Sequence, residues 1–134
     1  MLEMSIATSK RHEAIDVTAG IADFVAHSGL VSGMCHVYLC HTTAALTVNE
    51  DADPSVMEDL FDLLEVLVPA SGNFKHRDGN AAAHVKASLI GSSLCLPVSE
   101  GRLWLGRWQG VYLCEFDGPR QRTIVLQTLA SEPR

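Results

Sequence analysis

Hydrophobic positions recur along the chain with two periods, and the switches between them predict its elements. Ile21, Phe24 and Val25 are spaced by three and four, which places them on one face of a helix running to about His27. Asp16 or Thr18 can cap its start, and Ser28-Gly29 ends it. Asp53-Pro54 predicts a second helix start, because Asp53 can accept a bond from a free N–H and proline at the first position loses none. Val56, Leu60, Leu63, Leu64 and Leu67 follow on one face. Met57, Phe61 and Val68 widen that face, predicting a largely buried helix that Pro69 stops. A third helix is expected from Ala81 to Ile90, with Asn80 as N-cap and Gly91 as its end.

The remaining apolar runs are short and rich in β-branched residues. Met4–Thr8 reads as an edge strand, and Met34–Cys40, Ala45–Val48, Leu94–Val98, Leu103–Leu105, Val111–Phe116 and Thr123–Leu129 read as further strands. Ser99-Glu100-Gly101, Gly106–Gly110 and Asp117-Gly118-Pro119 are turn signals between them, and Ser71–Gly79 reads as a loop. Three helices among about seven strands predict an α+β fold with β-sandwich-like mixed or antiparallel sheets. With 134 residues and no repeat, linker or low-complexity segment, a single domain over 1–134 is expected.

Composition narrows the functional classes. The formal net charge of −6 disfavours general binding to nucleic acid, although a local basic patch could take a small phosphorylated molecule. Phe61–Val68 is interrupted by Asp62 and Glu65 and is far short of the roughly 20 apolar residues of a membrane span. Met1-Leu2-Glu3-Met4 lacks the basic-then-apolar pattern of a leader, so a cytoplasmic location is expected. Cys35, Cys40, Cys95 and Cys114 form no C-x-x-C pair and sit in apolar strand-like runs, which predicts four buried thiols.

Four groups of residues could carry chemistry. His12 and His27 read as surface residues, and His36 and His41, five apart along a strand, point to opposite faces. His41-Thr42-Thr43 ends an apolar strand, where scaffolds present side chains to a cleft. In Lys75-His76-Arg77-Asp78-Gly79-Asn80, a loop can fold His76 towards His84, which shares a helix face with Asn80. This is not the H-E-x-x-H spacing, so metal ligation and satisfied or exposed histidines both stay open. Acids in Asn49-Glu50-Asp51-Ala52-Asp53 suit a helix start, but Glu50, directly after a strand, could be a ligand or general base. Trp108 and Gln109 sit in a tight glycine-flanked connection where Trp108 reads first as packing. Arg120 and Arg122 read as solvated, and either guanidinium would suit a phosphate.

Taken in order, His41-Thr42-Thr43-Ala44-Ala45-Leu46, Asn49-Glu50 with Asp53-Pro54, Asn80-Ala81 with His84 and Lys86, Gly106 with Trp108-Gln109, and Glu115 with Asp117-Gly118-Pro119-Arg120 resemble the YjbQ family from about Arg11 to Leu129. The resemblance implies a compact α+β homotrimer and the activity of a secondary thiamine-phosphate synthase. That reaction joins a pyrimidine diphosphate to a thiazole phosphate and releases pyrophosphate. It further implies Glu50, Lys86 and Asn80 as catalytic residues and Trp108, Gln109, Asp117 and Arg120 as ligand-binding residues. His41, His76 and His84 would hold a divalent metal, zinc or magnesium. The alternatives are a non-catalytic trimer that binds a metal or a phosphorylated metabolite, and a mainly structural trimer. One departure stands out: Arg107 occupies a position before Trp108 where a small residue, usually threonine, is expected.

Overall fold

A computed structural model describes residues 1–132; residues 133 and 134 of the expected domain lie outside the described residues. The chain runs β1 (Leu2–Ala7), β2 (Glu13–Asp16), α1 (Thr18–His27), β3 (Gly33–Leu39), β4 (Ala44–Glu50), α2 (Ser55–Leu67), α3 (Ala81–Ile90), β5 (Ser93–Ser99), β6 (Arg102–Leu103), β7 (Gln109–Glu115) and β8 (Gln121–Ala130). The strands form a five-stranded sheet in the order β1-β8-β3-β5-β6 and a three-stranded sheet in the order β2-β7-β4. Every pairing among them is antiparallel. The α+β class with two antiparallel sheets is therefore the architecture that the pattern predicts, and β1 is the expected edge strand.

Strand alternation explains the layering. Cys35, Val37 and Leu39 of β3, and Ile124 and Leu126 of β8, face one core together with Leu46 of β4 and Val111 and Leu113 of β7. Ile21 and Val25 of α1 enter the same core. The opposite face of the small sheet, through Ala45, Tyr112 and Cys114, packs on Met57 and Leu64 of α2 and Ala83 and Ala87 of α3. The small sheet is thus covered on both faces, which is why β7 is buried from Gly110 to Glu115 without alternation. The outer face of the large sheet, which carries Met34, His36 and Tyr38 of β3, is not covered by a further layer and is at least partly exposed.

Several expectations need correction. β2 escapes the sequence pattern because only Ala14 and Ile15 are apolar in it; its pairing with β7 makes it a strand. β4 continues to Glu50, so that residue lies within a strand rather than after one. Helix α2 is not largely buried: Met57 and Leu64 are, while Leu63, Val66 and Leu67 face outward. Its apolar stripe is wider than the surface it packs against. Cys35 and Cys114 are buried, but Cys40 and Cys95 are exposed. Trp108 is also exposed rather than packed, and Arg122 is buried rather than solvated. No helix among the described residues is long and apolar enough to cross a membrane.

Candidate functional site

At one end of the sandwich the two sheets are joined by charge. Glu115 continues the inward phase of Val111 and Leu113, and Arg122 precedes Ile124 and Leu126 in the same phase. Both side chains are fully buried and form an ion pair. Arg122 Nε donates to Glu115 Oε1 at 2.9 Å, and the guanidinium also reaches the Thr43 carbonyl at 3.1 Å and its hydroxyl at 2.9 Å. The Thr8 hydroxyl and the Asp117 N–H donate to the two carboxylate oxygens at 2.7 and 3.1 Å. Burial pushes the Glu115 carboxyl up, but the bonds from Arg122, Thr8 and Asp117, with the guanidinium charge, outweigh it and hold it below its usual range. A Cβ on Gly118 would stand 2.8 Å from the Thr8 hydroxyl and collide with the Lys10 carbonyl, so only glycine lets this turn close over the pair.

Arg122 thereby fixes the loop that carries His41. The backbone N–H of Thr123 donates to His41 Nε2 at 2.8 Å. An amide N–H can only donate, so Nε2 is unprotonated and the neutral ring carries its proton on Nδ1. Burial, and then the Arg122 guanidinium, lower the His41 pKa and favour that neutral form. His41 lines a depression of about 470 Å³ with Thr42, His84, Ser88 and Ser92, and no carboxylate is part of its lining. Such a wall of neutral donors suits an oxygen-rich anion. A cleft of similar volume between β2 and α2 sets three carboxylates, Glu13, Glu58 and Asp62, against Lys10, a balance that disfavours phosphate.

A second constellation adjoins the first at the start of α3. Asn80 occupies the N-cap position, yet its side chain makes no capping bond. Its Oδ1 is 3.0 Å from His76 Nε2, and its Nδ2 donates to Asp117 Oδ2 at 2.9 Å. Arg120 holds the same carboxylate oxygen at 3.0 Å. The His76 and His84 rings meet edge to face with centroids 5.0 Å apart. His84 also lines a neighbouring depression with Lys75 and His76. Asn80 thus uses its side chain to link a histidine to an aspartate instead of capping the helix.

The other sequence candidates lie elsewhere. Lys86 is two residues from His84 and so about 200° around the helix. It is buried, pairs with Glu65 and stands 5.9 Å from the Phe116 ring centroid, away from the His41 depression. His12, expected as a plain surface residue, approaches Glu65 with Nε2 3.4 Å from Oε1. Burial and Lys86 lower its pKa. Glu50 ends β4 and pairs in register with Gln109, whereas Ala44 at the start of β4 pairs with Glu115. Six residue steps of about 3.3 Å put the two ends of that strand roughly 20 Å apart. Glu50, Trp108 and Gln109 thus form a separate group at the far end. There Gln109 accepts the Gly106 N–H at 2.7 Å, and the Arg107 guanidinium stacks 4.9 Å from the Trp108 ring centroid. Arg107 therefore caps the tryptophan face that a threonine would leave open.

Of the three histidines expected to hold a metal, the chain brings His76 and His84 into contact and turns His41 Nε2 towards a backbone N–H. Among the described residues no group of three or more His, Cys, Asp or Glu side chains has a metal-holding arrangement. Missed from the sequence were the Glu115–Arg122 pair and Glu65. The pair had a visible signal: each charge occupies the inward phase of a strand whose other inward positions are apolar.

Comparison with known proteins agrees with this fold. A YugU protein of Bacillus subtilis, named as a UPF0047 protein, is 43% identical over 94% of this chain and 96% of its own. A UPF0047 protein of Methanocaldococcus jannaschii is 39% identical over 98% of this chain and 96% of its own. The crystal structure of an uncharacterised conserved protein of the YjbQ/UPF0047 family from Clostridium acetobutylicum superposes with a TM-score of 0.94 at 43% identity, covering 96% of this chain and 100% of that one. A YbjQ-like protein of unknown function from Sulfolobus solfataricus gives a TM-score of 0.92 at 34% identity, covering 96% and 95% of the two chains. The family profile described as UPF0047 protein YjbQ-like matches residues 2–131, and the chain belongs to that family.

Proposed function

We propose that the His41 end of the molecule binds the phosphate or diphosphate group of a small metabolite. The observation that carries this reading is the bond from the Thr123 N–H to His41 Nε2, which leaves Nδ1–H as the ring's donor beside a depression free of carboxylates. Thr42, Ser88 and Ser92 add hydroxyl donors. The thiamine-phosphate synthase reaction, joining a pyrimidine diphosphate to a thiazole phosphate, is a chemistry that needs such a place for the departing pyrophosphate. Asn80 and Asp117 would orient His76 beside it. In a homotrimer, Glu50, Trp108 and Gln109 would act on this ligand only if a neighbouring copy supplied them.

Divalent metal is the second reading, favoured by the contact between His76 and His84. Two imidazoles suit zinc better than magnesium, which prefers oxygen ligands. As oriented, His41 would have to release the Thr123 N–H or lose its Nδ1 proton to complete the trio. The metal content of purified protein, compared with that of His84→Ala, checks this reading.

Calorimetric titration with inorganic pyrophosphate tests the main proposal. His41→Ala should weaken binding by roughly 10- to 100-fold, the loss of a hydrogen bond to a charged group worth about 1.5–3 kcal/mol. Unchanged affinity in that variant defeats the proposal. Turnover of the two thiamine precursors, compared with Glu50→Gln and with metal-stripped protein, then separates a transferase from a binding module. Turnover that also survives His41→Ala points to a contaminating enzyme.

A further inference from the structure

The outer face of the five-stranded sheet carries a group of soft donor atoms that is not part of the lining of the His41 depression. Met34 and His36 are two residues apart on β3 and so share a face. Cys95 on β5 is the direct antiparallel partner of His36 and therefore lies on that same face. Cys95 Sγ is 4.0 Å from Met34 Sδ, and both residues are exposed.

We propose that Met34, His36 and Cys95 form a binding site for a soft monovalent metal ion of the Cu(I) class. Thiolate and thioether sulfur select such ions over hard cations, and imidazole completes the set. The sulfur spacing fits: two sulfurs bound at about 2.3 Å and about 120° apart stand about 4.0 Å from each other. His36 supplies the third donor, since directly opposed residues on antiparallel strands have Cβ atoms about 4.5–5.5 Å apart. Binding replaces the Cys95 S–H bond with a sulfur–metal bond and releases one proton, with no change of oxidation state. Neither core thiol competes. Cys35 and Cys114 are buried in the core, out of reach of an ion arriving from solvent.

The full chain is titrated without oxygen with Cu(I) against a chromogenic chelator, and separately with Ag(I) as a redox-inert probe. The expected result is one ion per chain with ultraviolet thiolate-to-metal absorption. Cys95→Ser abolishes that absorption, and Met34→Leu and His36→Gln each weaken binding at least tenfold. Cys40→Ser, at the other exposed thiol, binds as the parent does. Melting curves confirm that these surface variants are folded. No binding by the parent chain, binding that survives Cys95→Ser, or binding lost in Cys40→Ser instead overturns the proposal.

Discussion

The two ends of the small sheet are built in contrasting ways. At the His41 end a buried ion pair joins the sheets and the polar groups hold one another: Arg122 holds Thr43, the Thr123 backbone N–H orients His41, and Asn80 links His76 to Asp117. At the Glu50 end, Gln109 closes its own turn and Arg107 lies on an exposed tryptophan. Charged groups placed in the dry interior are costly unless every partner is present, and at the first end every buried polar side-chain atom has one. The second end satisfies itself locally. Polar residues that share a sequence motif thus need not share a site; what separates them here is the length of β4.

The sharpest way to break this comparison is to break the ion pair. Arg122→Met leaves a buried carboxylate without its counter-charge and should lower stability by about 3–5 kcal/mol. Glu50→Gln at the other end should cost far less, about 0.5 kcal/mol, because Glu50 is only half-buried and neutralising it strands no buried counter-charge. Urea denaturation of both variants checks the contrast. Arg122→Met combined with Glu115→Leu should recover most of the loss, because no charge is then stranded.

A smaller effect is expected at Lys86. Lys86→Met keeps the packing against Phe116 and frees Glu65, which is partly exposed and can be hydrated. A loss of about 1 kcal/mol in the same denaturation experiment fits this ion pair, with pyrophosphate affinity unchanged. A large drop in affinity would return Lys86 to the ligand site.

Acid should weaken the folded state gradually. His12 and His41 are held below their ordinary value of 6.5, chiefly by burial. The unfolded chain therefore takes up these protons at higher pH than the folded one, and stability begins to fall as the pH drops below about 6.5. Glu65 is held below its ordinary 4.5 chiefly by the bond from Lys86, and Glu115 is also held below 4.5 because its hydrogen bonds outweigh burial. Their contribution is present above about pH 4.5 and is lost as the pH falls through the lowered values. Melting temperature measured against pH should be flat near neutrality and decline in two stages on acidification. A rise on acidification would contradict the assigned directions.

Much of this was legible in the residues. Period-three-and-four spacing located α1 and α2, the end signals Asn80 and Gly91 located α3, and apolar runs located the strands except β2, which is too short and too polar to show one, with Leu103–Leu105 meeting β6 only at Leu103. The extent of α2 burial was not legible, because a stripe shows which face is apolar but not how much surface meets it. The site was legible in part. That Lys86 and His84 lie on opposite faces of α3 follows from their separation of two. That Glu50 lies far from His41 follows once both flank one extended strand. The tautomer of His41 and the use of Asn80 as a link rather than a cap depend on tertiary contacts, which no local pattern carries.

The central claim is that an anionic ligand sits at the His41 end. Amide chemical-shift mapping in ¹⁵N-labelled protein during titration with inorganic pyrophosphate tests it most directly. The account predicts saturable shifts at Thr42, His84, Ser88, Ser92 and Thr123, with Glu50, Trp108 and Gln109 unmoved unless a neighbouring copy supplies them. Shifts confined to Glu50, Trp108 and Gln109, with the His41 end silent, would contradict it.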